Sequence, residues 1–179
     1  MKIAFIPSNK EFLNNNIFDI NFARDNCFEP FSKLKESLSS QNIQLDTYDL
    51  IRDFLIVDLL LVFRFEYNFK TLLKIIRANS TVKIIFIVTE EQNIAPLYFE
   101  DILRNKLFDL VLTWRDDMVD NHYFFKCNYP NPFRKMSKPK PFAGKNYLTI
   151  INSNKKYRYN KVGDLYIERL RAIRYFAQN

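Results

Sequence analysis

With 179 residues, 47% of them hydrophobic and 16% aromatic, the chain has the size and apolar content of one globular domain with a proper core, which excludes a disordered segment. Only two glycines occur, Gly144 and Gly163, so neither G-x-G-x-x-G nor G-x-x-x-x-G-K-[ST] can be written, and the usual dinucleotide and P-loop fingerprints are excluded. The net charge of +7 is uneven: residues 131–179 carry 12 Lys and Arg against 2 acids, whereas residues 1–130 are net −3.

Taken in chain order, residues 2–7 predict a first buried strand, followed by an Asn-rich loop through Asn21. Phe28, Phe31, Leu34 and Leu38 recur at helical spacing and predict an amphipathic helix that starts through Glu29-Pro30. Ile43 to Tyr48 alternates as a strand, and Val57 to Phe63 is a continuous apolar run suited to a strand covered on both faces. Phe69, Leu72, Leu73 and Ile76 restore helical spacing up to Ala78, with Asn79-Ser80 as the stop. The β-branched run Val82 to Val88 is expected to be a central strand. Leu97 to Leu107 is expected to form a short helix and Phe108 to Trp114 the next strand, which leads through a carboxylate-rich turn into an aromatic strand. Strands alternating with helices in this way predict an α/β fold, a Rossmann-like, doubly wound, mostly parallel sheet.

A first, Rossmann-like domain is expected to span residues 1–132. A Pro- and Lys-rich connector follows at 133–144, because X-Pro steps favour extended chain over helix. Residues 145–179 then hold a strand, Tyr147 to Ile151, a polar loop, and a helix from Asp164 with Leu165, Ile167, Leu170, Ile173 and Phe176 apolar. One strand and one helix cannot bury a core of their own, so the segment is expected to be the opening of a second domain. The longest apolar run, Phe54 to Phe63, is interrupted by Asp58 and too short for a membrane span. With Cys27 and Cys127 far apart and one histidine, His122, no zinc spacing exists. The expectation is a cytoplasmic chain, soluble or peripheral to a membrane, in which the sequon at Asn79-Ser80-Thr81 has no role.

Several residues invite chemistry. Glu90 and Glu91 follow the Val82 to Val88 strand, at the edge where open α/β sheets bind ligands; they are either a catalytic pair or the start of a solvated loop. Asp116, Asp117 and Asp120 could hold a metal, but a turn in which Asp116 or Asp117 accepts backbone N–H groups explains them more simply. Trp114, at a strand end, either stacks on a ligand or packs under a loop, and His122 reads as a turn residue. Arg169, Arg171 and Arg174 suit a solvated helix face that complements the helix dipole. Lys155-Lys156-Tyr157-Arg158-Tyr159 interleaves cations and aromatics as single-stranded nucleic-acid sites do, though only over a few residues.

Five segments carry a resemblance. Arg24 to Phe31 (RDNCFEPF), Ile85 to Gln92 (IFIVTEEQ) with Pro96 six positions after Glu90, the Thr113 to Asp120 turn (TWRDDMVD) that runs on to Tyr129-Pro130, and the pair Leu148 to Lys155 and Leu165 to Phe176 stand in one order. Together they resemble glycosyltransferase family 10, the α-1,3/4-fucosyltransferases. The donor-sugar motif of complete members is missing from this sequence.

The resemblance implies one half of a two-domain GT-B glycosyltransferase that inverts the anomeric centre, with acceptor on the first domain and GDP-fucose on the second. No metal and no cofactor are implied beyond the GDP-fucose donor. It makes Glu90 the general base, with Glu91 as the alternative or as an acceptor ligand, and places Trp114, Asp116 and Asp117 near the acceptor. Arg169, with Asn152 and Lys155, would contact the donor diphosphate. The implied partner is an oligosaccharide or glycan acceptor, with the donor domain absent, no nucleic acid, and little activity from this chain alone. The rival readings are a non-catalytic sugar-binding module and a nucleic-acid-binding module.

Overall fold

The computed structural model describes residues 1–22, 26–63, 69–88, 107–128, 141, 143 and 166–178. The chain divides into two compact units, residues 1–89 with 101–133, and residues 90–100 with 134–179.

The first unit is built on a six-stranded sheet in the order β2-β1-β3-β4-β5-β6, with every neighbouring pair parallel. Its strands are β1 (Lys2–Ile6), β2 (Gln44–Thr47), β3 (Leu59–Val62), β4 (Lys83–Ile87), β5 (Leu110–Thr113) and β6 (Phe124–Lys126). Helix α1 (Glu29–Ser39) links β1 to β2, and α2 (Phe69–Ala78) links β3 to β4. This is a Rossmann-like α/β sheet. Among the described residues the strands predicted from hydrophobic runs form, and β3 and β4, the most continuously apolar, take the centre of the sheet. The helix predicted over 97–107 and the strand predicted over 147–151 fall outside the described residues, apart from Leu107.

Handedness sorts the helices. A right-handed β1-α1-β2 crossover moves one way across the sheet and a right-handed β3-α2-β4 crossover moves the other way, so α1 and α2 lie on opposite faces. Successive side chains alternate between those faces. On the α1 face Ile3, Phe5, Leu61 and Phe63 meet Phe18, Phe28 and Phe31 in one buried cluster. Its rings pack edge-on: Phe5 to Phe18 at 5.6 Å and Phe31 to Phe63 at 5.3 Å between centroids, the geometry that ring quadrupoles favour. On the α2 face Ala4, Ile6, Leu60, Val62, Ile84, Phe86 and Val111 are buried, and Phe86 stacks on Phe108 at 4.7 Å.

The two faces are covered unequally. Ile84, Phe86 and Val88 on one side of β4 are buried, whereas Ile85 and Ile87 on the α1 side are only half-buried, as are Leu110 and Leu112 of β5. Helix α1 shows the same gradient: Phe31 is buried, Leu38 half-buried and Leu34 exposed. One helix, about 10 Å wide, cannot cover six strands spaced about 4.8 Å apart.

Helix α2 corrects the sequence reading in phase. Its buried seam is Leu72 and Ile75, with Asn79 one turn further on, while Phe69 is 43% exposed. Asn79 is more than a stop signal. It is 8% exposed, and its amide nitrogen donates to the carbonyls of Phe54 (3.1 Å) and Val57 (2.9 Å), with a longer contact to Leu55 (3.4 Å). Its oxygen accepts from the Thr81 backbone N–H (3.1 Å) and hydroxyl (2.9 Å). The sequon asparagine is thus a buried cross-link between the end of α2 and the turn that leads into β3.

The Asn-rich loop after β1 closes the β2 edge. Asn15, at φ 61°, accepts from the Thr47 backbone N–H at 2.8 Å and donates its own N–H to the Thr47 hydroxyl at 3.0 Å. A short amide side chain tolerates this left-handed backbone, and its bonds occupy an edge that would otherwise invite another strand. Asp46 beside it accepts from Lys35 (2.7 Å), Asn15 (2.8 Å) and Gln44 (2.6 Å). Burial pushes the Asp46 carboxyl up, but these three donors outweigh it and hold the group below its ordinary value.

In the second unit the described element is helix α3 (Tyr166–Gln178), preceded by the expected cap Asp164, which falls outside the described residues. Its apolar side chains Ile167, Ile173 and Phe176 are 48%, 37% and 54% exposed. Among the described residues no helix is long and apolar enough to cross a membrane.

Candidate functional site

In an open parallel sheet the strand carboxyl ends, near the point where the strand order reverses, form the ligand-binding edge. Here the reversal falls between β1 and β3, and β4, β5 and β6 continue the edge. The start of the β5–β6 connection, Trp114 to Asp117, adds polar groups to it.

That connection is short. Parallel neighbours are usually joined by a helical crossover of a dozen or more residues, yet residues 114–123 join β5 to β6 with only a 3₁₀ turn at Asp116–Met118. Asp120 makes this possible. Its Oδ1 accepts from the backbone N–H groups of His122 (2.9 Å), Tyr123 (2.8 Å) and Phe124 (2.8 Å), while Asn121 takes a left-handed φ of 56°. Those N–H groups hold the Asp120 carboxyl below its ordinary value.

The other two aspartates act differently from the reading that gave one of them the capping role. Asp116 pairs with Lys126 at 2.6 Å, and the same ammonium donates to the Trp114 carbonyl at 2.6 Å. Asp117 receives a two-pronged contact from Arg115, one prong at 3.0 Å from Nε, and this guanidinium holds the Asp117 carboxyl below its ordinary value. A carboxylate whose lone pairs and charge are so engaged is a poor base at neutral pH. The turn is a set of ion pairs and caps. Among the described residues no group of three or more His, Cys, Asp or Glu could hold a metal.

Trp114 is half-buried at the end of β5, and Thr113 before it is fully buried, with its hydroxyl accepting from the Arg115 N–H at 3.2 Å. His122 is exposed in the turn, as expected. The structure therefore brings Trp114, Asp116 and Asp117 together on one rim. Glu90, Glu91, Asn152 and Lys155 fall outside the described residues, while Arg169 is exposed on α3 beside Arg171, which pairs with Glu168 at 2.7 Å.

Sequence reasoning missed two features. Lys126 fixes the rim by bridging Asp116 and the Trp114 carbonyl; its signal was a lone cation in an aromatic strand opposite an acidic turn. The second is a cavity of about 460 Å³ between α1 and the α1 face of the sheet, lined by residues that include Leu34, Leu38, Leu61, Ile87, Leu112 and Cys127. Only the strand order reveals it, because it depends on which crossovers fall on which face.

Compared with known proteins, the chain matches no family model, no curated protein and no solved structure.

Proposed function

We propose that the chain is the acceptor-binding half of an inverting, GDP-fucose-dependent, fucosyltransferase-like glycosyltransferase of GT-B type. The observation that carries this reading is the parallel sheet in which β4 ends at Ile87, three residues before Glu90, so that a strand running to the ligand-binding edge precedes the carboxylate singled out by the family resemblance. Glu90 then takes the proton from an acceptor hydroxyl as its oxygen attacks the anomeric carbon. The bond to the GDP oxygen breaks on the opposite face, and the configuration inverts. Glu91 and Trp114 hold the acceptor sugar. The engaged pairs of Asp116 and Asp117 shape the rim beside it. Arg169, with Asn152 and Lys155, meets the charge that develops on the leaving diphosphate, a task for fixed cations.

The test has two arms. The chain is screened by calorimetry against a glycan panel, and transfer from labelled GDP-fucose is assayed with a donor domain of the same family added. Saturable glycan binding is expected, and Glu90→Gln should reduce transfer by about 10²–10⁴-fold with glycan binding retained. Unchanged turnover would eliminate Glu90 as the base. Salt-dependent oligonucleotide binding in place of glycan binding would transfer the reading to a nucleic-acid module.

A further inference from the structure

The cavity between α1 and the sheet is chemically one-sided. Its described lining is aliphatic and aromatic apart from Cys127, whose thiol turns to the Asn128 carbonyl at 3.8 Å. The backbone groups of β3, β4 and β5 are consumed by the parallel ladders that pair them, and those of α1 by the helix. The described wall thus offers almost no hydrogen-bond donors or acceptors. A sugar or an extended peptide placed there would leave polar groups unpaired, at a cost of about 1–3 kcal/mol for each. A hydrocarbon chain loses nothing, and each methylene gains about 0.8 kcal/mol on leaving water.

We propose that this cavity binds a single alkyl chain, the tail of a long-chain amphiphile. About 460 Å³ lies within the range of small-molecule sites, about 300–1,000 Å³. The cavity also has direction. It runs from Leu38, near the end of α1, to Pro30 at its start, and from Ile3 to Phe63, Val88 and Cys127 at the carboxyl ends of their strands. A chain lying along it points its head group toward the carboxyl edge of the sheet. The cause is topological: among the described residues α1 is the helix on this face, and Leu34, Leu38, Ile87 and Leu112 remain as an apolar trough. The proposal stands independently of the transferase reading, because it concerns a tail and not the sugar.

The two cysteines supply the assay. Cys27 is exposed, whereas Cys127 lines the cavity. Thiol labelling of the delipidated full chain, with and without myristate below its critical micelle concentration, is expected to slow at Cys127 by about tenfold and to stay unchanged at Cys27, since labelling requires an accessible thiol. Calorimetry with octanoate, decanoate and dodecanoate should show one site per chain. Affinity should rise about fifteenfold for each two methylenes until the cavity is filled. Leu34→Arg, at an exposed helix position, should abolish both effects. Equal labelling rates at both cysteines, absence of saturable binding, or binding insensitive to chain length would overturn the proposal using the unaltered protein alone. So would a dimer that Leu34→Arg dissociates, which would assign the face to a second copy.

Discussion

Replacing Asn79 by alanine is the sharpest perturbation of the fold. The side chain makes four well-formed hydrogen bonds, to the Phe54 and Val57 carbonyls and from the Thr81 N–H and hydroxyl, plus the longer one to Leu55. Each neutral bond is worth about 1 kcal/mol net, and a buried partner left without one costs about 1–3 kcal/mol. Phe54 is half-buried and its carbonyl can regain water, whereas Val57 is 2% exposed. Thr81 is exposed and its donors can likewise regain water, so the expected loss is about 2–4 kcal/mol, the larger part from the Val57 carbonyl. Asn79→Asp separates the terms. It keeps the acceptor toward Thr81 but sets a carboxylate against two carbonyls, so its folded pKa rises above the unfolded value. Its destabilisation is then greatest at neutral pH and is relieved as pH falls through the raised folded pKa, where the protonated acid can donate. Urea denaturation followed by the fluorescence of the single tryptophan, Trp114, measures both variants. A shift in stability below about 0.5 kcal/mol for Asn79→Ala would refute the cross-link, since that is the scale of a surface substitution.

The β5–β6 turn should discriminate among its aspartates: Asp120→Ala lowers the urea midpoint because three N–H groups lose their acceptor, whereas Asp116→Ala and Asp117→Ala, in exposed ion pairs, leave it nearly unchanged. Equal effects at all three positions would show that Asp120 does not organise the turn. Acid should weaken the β2 edge: Asp46 is held below its ordinary value, so its stabilisation is complete above the unfolded carboxylate range near pH 3.9 and is lost as pH falls through the depressed folded value. Asp46→Asn should flatten that acid limb in a pH series of thermal melts, and an unchanged limb would point to other carboxylates. Lys126→Met should free the Trp114 carbonyl and loosen the turn, read as faster hydrogen exchange at the Phe124 and Phe125 amides. Unchanged exchange would mean that the ammonium is a bystander.

Sequence alone located the strands and helices of the described sheet. Runs such as Val57 to Phe63 and Val82 to Val88 are short, apolar and rich in branched residues, which marks them as central strands without saying how fully each face is covered. It also located the acidic turn, because aspartates between an apolar and an aromatic run have few other uses. What it could not assign was the division of labour within that turn. Asp120 rather than Asp116 or Asp117 caps the backbone, and a shift of three or four residues in where a chain turns is set by β5 and β6 pairing. Nor could it fix the phase of α2 or the burial of Asn79, since Leu72, Leu73, Ile75 and Ile76 fit more than one helical face until the sheet chooses between them.

The uneven coverage of the sheet was decided only by tertiary structure. Which face a helix covers follows from strand order and crossover handedness, and strand order is a long-range property absent from any local pattern. Leu34 and Leu38 looked like core from their spacing and instead line an open cavity, because the sheet beneath them is wider than one helix.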